Sequence, residues 1–388
     1  MTTTYPTTID AFTTRLAGDR VRASHFNDPQ DAVVAVETRM GASLEYINPL
    51  PNPVLNGDLL VWQDGTTFTS IAHGAYGPDM WRYLKSGTVV HDLSRSTDVP
   101  TVNHNYSMLL DVTTADTSMA AGDHSGIYQP IEGYNFLKTA QKEFTVGFWV
   151  KAPLAGAYCV SFRNSGLNRS YVKEYIVNVA DTWEWKTMTI PASPSTGTWD
   201  YTTGIGLWLG FTLAAGNNFR TTPDGWRTGN YTSTQSQVNA VASTAYNFRI
   251  AGVTIVPGPY ALPLPEQPTT RTECLRYREI LGGQALLEHF CSGFEYTALG
   301  RDSANTILKY YPKRIVPTSF GVSAVSDFEV VQPAGVADTQ GVAWFDASLD
   351  RVYAEWDFTI AGTAVNGNAC LVRANDTLDA RIKVIATL

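Results

Sequence analysis

From Val54 to Val256 the chain runs in short stretches of alternating apolar and polar residues, each closed by Gly, Asn, Asp or Pro, and no helical period settles in. A period of two turns successive side chains to opposite faces, so each stretch can bury one face and wet the other. Eight stretches follow this rule: Val54–Gln63, Ser107–Val112, Phe144–Lys151, Tyr158–Arg163, Tyr171–Val177, Glu184–Ile190, Gly204–Leu213 and Asn247–Val256. In the third, Phe144, Val146, Phe148 and Val150 form one apolar face, interrupted by Thr145, Gly147 and Trp149. Strands of this kind bury their apolar faces only against a second sheet, which predicts a mainly β fold built on a jelly-roll β-sandwich. Trp62, Trp81, Trp149 and Trp208 lie inside these stretches or similar ones and read as core.

Both flanks differ from this body. Residues 1–24 carry little hydrophobicity, after which Asp28-Pro29-Gln30-Asp31 supplies an N-cap, a first-turn proline and a first-turn acid. Val33, Val36 and Met40 then recur at helical spacing, Phe26 precedes them by two turns, and Gly41 stands at the C-terminal cap. A helix of about a dozen residues is marginal alone, so this stripe needs a partner surface, either its own chain or the same helix of sister chains. Beyond the body, prolines 259, 263, 265 and 268 mark an extended linker. Helix-compatible residues Thr272–Leu281 end at Gly282-Gly283, and strand-like runs such as Val352–Ile360 and Ala380–Ala386 follow. The expected layout is an arm and short helix over 1–50, a jelly roll over 51–258, a linker with a short helix over 259–284, and a second, smaller β-sandwich over 285–388.

Composition narrows the chemistry. Aromatics make up 12% and charged residues 16% of the chain, and the net charge of −8 offers no basic field for nucleic acid or an anionic membrane. No apolar run approaches the ~20 residues of a membrane span, and the opening residues lack a signal-peptide layout, which places synthesis and folding in a cytoplasm. Cys159, Cys274, Cys291 and Cys370 are far apart and without histidines at ligand spacing, so buried free thiols are expected, with a Cys274–Cys291 bond as the alternative. No cofactor, metal-ligand or hydrolase motif is present in the sequence. Asp111, Glu132, Glu174 and Glu184 are the carboxylates a polysaccharide-cutting enzyme would draw on, but strand-surface acids explain them more simply, and the chain reads as non-enzymatic. His104 and His124 read as polar loop residues.

Several segments resemble bacteriophage tail-fibre and virion-fibre proteins. Tyr5-Pro6-Thr7-Thr8-Ile9-Asp10-Ala11-Phe12, with Ala23-Ser24-His25-Phe26-Asn27-Asp28 and Gln30–Glu37, is similar to their virion-proximal opening. Pro53–Phe68 with Asp79-Met80-Trp81-Arg82-Tyr83, closing at Phe248–Val253, resembles their carbohydrate-binding-type jelly roll. Glu273-Cys274-Leu275-Arg276-Tyr277 is similar to the joint into a C-terminal sandwich, and Lys313–Thr318 to a strand within it. Pro29 stands where the family usually has a leucine, and Thr254-Ile255-Val256 where relatives commonly carry Gln-Leu-Glu. The resemblance implies a homotrimer seamed by Phe26, Val33, Val36 and Met40, attached to other virion proteins through residues 1–24. It implies a place on the virion surface and a host-cell polysaccharide or receptor as partner. It covers head fibres, decoration proteins and collar parts as well, in which the modules only brace. In related jelly rolls a structural Ca²⁺ can bridge first and last strands, and Asp58 or Asp79 would serve here.

Sugars offer CH faces and hydroxyls, so loop aromatics beside polar side chains are the natural candidates for contact. Two loops meet this description: Trp199-Asp200-Tyr201, and Asp224, Trp226, Arg227 and Tyr231 of the segment that begins at Pro223. The competing expectation is that these rings plug the sandwich ends.

Overall fold

The computed structural model describes residues 52–259, 261, 269–298, 301–344 and 350–388. The expected N-terminal helix, with Phe26, Val33, Val36 and Met40, lies outside them. Residues Pro53–Leu388 form one compact unit.

Two six-stranded sheets make the body. The first runs β1 (Thr67–Phe68), β3 (Val90–Ser96), β4 (Ser107–Thr114), β14 (Asn247–Pro257), β6 (Phe144–Lys151), β9 (Glu184–Ile190). The second runs β12 (Trp226–Arg227), β8 (Ser170–Val177), β7 (Gly156–Asn164), β10 (Ile205–Ala215), β5 (His124–Glu132), β2 (Arg82–Ser86). Neighbours in both sheets pair antiparallel. Phe144, Val146, Phe148 and Val150 are fully buried, as the alternation requires. Their rings meet the other sheet edge to face, Phe144 with Phe162 at 5.2 Å and Phe148 with Phe211 at 4.8 Å. Each such side chain contributes about 1.5–3 kcal/mol of burial free energy, which is why the two sheets close on each other.

Seven of the eight expected strands form, and Val54–Gln63 does not. Asn56 and Leu59 adopt left-handed φ values of 52° and 58°, which no strand tolerates. The Asn56 amide holds the turn by donating to the carbonyls of Val61 (2.9 Å) and Asp79 (3.0 Å) and accepting from the Val61 N–H (3.0 Å). Strands β2, β3 and β5 were not expected. β5 is buried along nearly its whole length, on both faces, so its sequence shows no alternation. A one-turn helix α1 (Gly133–Phe136) follows it.

The C-terminal part is a closed barrel, which corrects the expected second sandwich. Its strands are β16 (His289–Ala298), β17 (Arg301–Lys309), β21 (Tyr353–Ile360), β20 (Gly335–Trp344), β19 (Phe328–Gln332) and β22 (Ala369–Ala374). β16 pairs with both β17 and β22, so the ring leaves no free edge. Phe328, Val330, Trp356, Phe358 and Val372 fill it, each at 0% exposure. A three-stranded sheet, β15 (Arg278–Leu281), β23 (Ile382–Ile385) and β18 (Ser319–Val322), lies beside it in the chain order. Helix α2 covers only Thr270–Leu275, and β15 replaces the rest of the helix expected over Thr272–Leu281 because its residues pair with β23. Lys313–Thr318 is not a strand: Lys313 and Arg314 are buried there and spend their donors on carbonyls of neighbouring segments.

The sandwich and the C-terminal segments meet over ionic groups. Glu132, at the end of β5, is fully buried and accepts from Arg276 Nη1 (2.6 Å) and the Tyr277 hydroxyl (2.6 Å), with Arg314 Nη1 at 3.8 Å. Leu55, Val61, Met80, Cys274 and Tyr277 form a small apolar cluster at the same place.

Candidate functional site

The structure brings the two aromatic loops together. Trp199 precedes β10 and Trp226 is the first residue of β12, and their rings meet edge to face at 5.7 Å. Trp199 and Tyr201 stack on the fully buried Phe136 of α1 at 5.4 Å and 6.0 Å, while Trp226 leans on Tyr171 of β8 at 5.5 Å. All three loop aromatics stay half-buried, so each has one side on the core and another at the surface. Both indole N–H groups are held by the backbone: Trp199 donates to the Thr196 carbonyl (3.0 Å) and Trp226 to that of Pro191 (3.2 Å). The rings are thus fixed before any ligand arrives, which limits the ordering cost of binding.

The polar candidates divide. Asp200 turns into its own loop, accepting from the Thr202 N–H (2.7 Å) and hydroxyl (2.9 Å). Asp224 is exposed at φ 60° and pairs with Lys173. Arg227 is exposed on the β12 edge. Tyr231 lies over Gly229, where an added Cβ would come within 2.6 Å of its ring. Arg169 joins the two loops, donating to Thr196 Oγ1 (3.3 Å) and Thr228 Oγ1 (2.9 Å).

A second surface was missed in the sequence. Trp62 and Trp81 are core as expected, but Trp149 and Trp208 are half-buried on the outward faces of the two sheets. The correction is readable in β10 itself: Leu207, Leu209, Phe211 and Leu213 are buried inward, so Trp208 must turn the other way. Across the second sheet, Trp208 registers with Arg163 of β7 on one side and Pro130 of β5 on the other. Arg82 of β2 and Arg163 both reach the indole, with guanidinium carbons 5.8 Å and 5.9 Å from its ring centre. Arg163 also lies 4.8 Å over Tyr128, whose ring crosses Gly210; a Cβ there would sit 2.2 Å from it. Arg163 Nη1 donates to Asn230 Oδ1 at 2.8 Å, and Arg82 Nε to the Gly74 carbonyl at 3.2 Å. Burial lowers the pKa of nearby His124 to about 4, and the Arg163 charge adds to that shift.

The carboxylates weighed for catalysis are dispersed. Glu132 binds Arg276 and Tyr277, and Glu174 accepts from the Thr234 hydroxyl. Burial tends to raise the Glu184 pKa, but Lys186 at 2.5 Å and the donors of Asn178 and Val179 outweigh it and hold the group at about 2. Burial, followed by the charge of Asp92, pushes Asp111 upward. Asp79 is taken by the backbone and side-chain N–H groups of Gln63, and Asp58 accepts from the Thr270 hydroxyl at 2.7 Å. Among the described residues no group of three or more His, Cys, Asp or Glu is arranged to hold a metal. No helix among them is long and apolar enough to cross a membrane.

No protein-family model and no curated protein matches the chain. Solved structures overlap about half of it. The enzymatically active domain of bacteriophage CBA120 tailspike protein 4 is 15% identical, with 49% of this chain and 21% of that one covered at a TM-score of 0.29. The C-terminal family 22 carbohydrate binding module of Clostridium thermocellum Xyn10B is 10% identical, covering 51% and 98% at 0.28. A Clostridium thermocellum family 11 carbohydrate-binding module, in complex with a β-1,3-1,4-mixed-linked tetrasaccharide, is 11% identical, covering 51% and 100% at 0.26.

Proposed function

We propose that this chain is a bacteriophage virion-surface fibre, attached through its N-terminal arm as a homotrimer, whose β-sandwich binds host-surface glycan without cutting it. The observation that carries the binding role is the convergence of Trp199 and Trp226, two half-buried indoles from separate loops locked at 5.7 Å with their N–H groups already satisfied. Such rings offer flat apolar surface to a sugar's CH face, and Arg169, Arg227 and Asp224 beside them offer groups for its hydroxyls. Repetition in a trimer and over several fibres raises effective concentration, so weak single contacts suffice to hold a particle.

The test is retention on immobilised host polysaccharide and competition with phage adsorption. Full-length protein should block adsorption, and Trp199→Ala with Trp226→Ala should weaken glycan retention at least about tenfold, or about 1.4 kcal/mol. Protein lacking residues 1–24 should remain trimeric by light scattering and still compete. Unchanged adsorption at saturating dose would overturn the receptor-binding role in favour of a bracing part of the head or collar.

A further inference from the structure

We infer that the outward face of the second sheet is a site for an acidic sugar, whose anionic group is held by Arg82 and Arg163 beside Trp208. The inference rests on the glycan-binding proposal and names the chemical class of the ligand. Positive charge is unevenly compensated across the described residues. Among the described residues, the basic groups where the sandwich meets the C-terminal segments are paired: Arg276 and Arg314 with Glu132, Arg278 and Lys383 with Asp64, Lys313 with Glu279. Arg82 and Arg163 form no ion pair with any described carboxylate.

Arg163 makes this unusual, because it is 5% exposed and its Nε has no hydrogen-bond partner. A guanidinium removed from water ordinarily lies against a carboxylate that offsets its desolvation. Here it has one amide oxygen, from Asn230, and two aromatic faces, Tyr128 and Trp208. Arg82 stands on the far side of the same indole in the sheet order, half-buried, with one donor on Gly74. Two like charges held around one ring leave a positive patch on a chain whose net charge is −8. An anion seated against the two guanidinium groups would offset both charges.

The surroundings select a sugar over a bare ion. Trp208 keeps apolar surface exposed for a CH face. Asn230, half-buried with its Oδ1 on Arg163, keeps an amide N–H suited to a hydroxyl, whereas the hydroxyl of Tyr76, whose ring lies 5.4 Å from the Arg82 guanidinium, is already spent on the Leu388 carbonyl. The planar fork of arginine matches a carboxylate in two parallel hydrogen bonds, so the uronic type of acidic sugar fits best, and sulfate or phosphate esters share the charge alone.

The experiment uses full-length protein on a panel of immobilised polysaccharides in three arms: carboxylate-bearing, the same polymers after carboxyl reduction to neutral sugars, and sulfated or phosphorylated polymers. Retention of the carboxylate arm, lost at least tenfold on carboxyl reduction and weakened by added salt, is the expected result. Arg82→Met should weaken that retention at least tenfold while changing retention of neutral polymers less than about twofold. Arg82→Lys, which keeps the charge but not the fork, should preserve the salt dependence and lose carboxylate preference over sulfate. Equal retention of the acidic and reduced polymers, or full retention by a folded Arg82→Met protein, overturns the inference and leaves the glycan-binding proposal standing. Preference for the sulfated or phosphorylated arm overturns the carboxylate assignment. Retention of nothing overturns both proposals.

Discussion

Glu132 is the residue whose loss should be felt most widely. It is fully buried at the end of β5, and its Oε2 accepts from Arg276 Nη1 and the Tyr277 hydroxyl, each at 2.6 Å. Arg314, 6% exposed at its side chain, stands 3.8 Å from the other oxygen. In Glu132→Ala, Tyr277 would stay buried without its acceptor and Arg314, its donors still on backbone carbonyls, would lose its nearest counter-charge, whereas half-exposed Arg276 could recover water. Removing one partner of a buried pair costs about 3–5 kcal/mol, mostly through the charge left behind. The partial exposure of Arg276, 35% at its side chain, argues for the lower end, about 3 kcal/mol. Because Glu132 belongs to the sandwich and its partners to the C-terminal segments, the loss should also uncouple the two. Thermal unfolding followed by calorimetry should show a lower midpoint, by about 6–12 °C on the scale of a module of this size. Urea titration should show the sandwich and barrel transitions drawing apart. A change under about 1 kcal/mol with a single unaltered transition would refute the reasoning, since it would mean the cluster stays solvated.

Acid should destabilise the fold through two histidines. Burial lowers His91 to about 4, and burial with the Arg163 charge does the same to His124, against about 6.5 in an unfolded chain. The folded state then binds fewer protons, so this stability is complete above pH about 6.5 and is lost as pH falls toward 4; His91, with no exposure, accounts for on the order of 3 kcal/mol. His91→Gln should flatten the fall in urea stability between pH 7 and pH 4 by a similar amount, and an unchanged slope would count against it. In the barrel, a Cβ at Gly293 would lie 1.8 Å from the Asn305 carbonyl oxygen, so Gly293→Ala should cost at least about 1–3 kcal/mol. Gly321→Ala, with nothing nearer than 3.7 Å, should change urea stability by under about half a kcal/mol. All four cysteines are free, and burial pushes Cys159 and Cys370 up to about 11 and Cys291 to about 12. A thiol reagent at pH 8 should therefore react slowly with native protein and promptly with four thiols in denaturant; fewer than four would reveal a disulfide.

The alternation of Phe144–Lys151 and Glu184–Ile190 was enough to place β6 and β9, because each has one face on the core and the pattern records it. β5 gave no such signal, being covered on both faces, and Val54–Gln63 gave a false one. Its apolar residues are buried apart from half-buried Leu60, yet Asn56 and Leu59 turn the chain back through left-handed conformations that hydropathy does not register. The loop aromatics were legible as a class because turn residues flank them. Their meeting was not, since Trp199 and Trp226 touch only once β10 and β12 take their places in one sheet.

By itself, then, the order of residues determined a β-rich, charge-poor chain of net charge −8 with a sandwich body and rings in its loops. Closure of the C-terminal strands into a barrel was decided only in three dimensions, because β16 meets β22 across some seventy intervening positions whose pairing no local period encodes. The same holds for Arg82, Arg163 and Trp208, which come from three strands far apart in the chain. Strand register is a property of the whole sheet, and it alone sets two uncompensated charges around one indole.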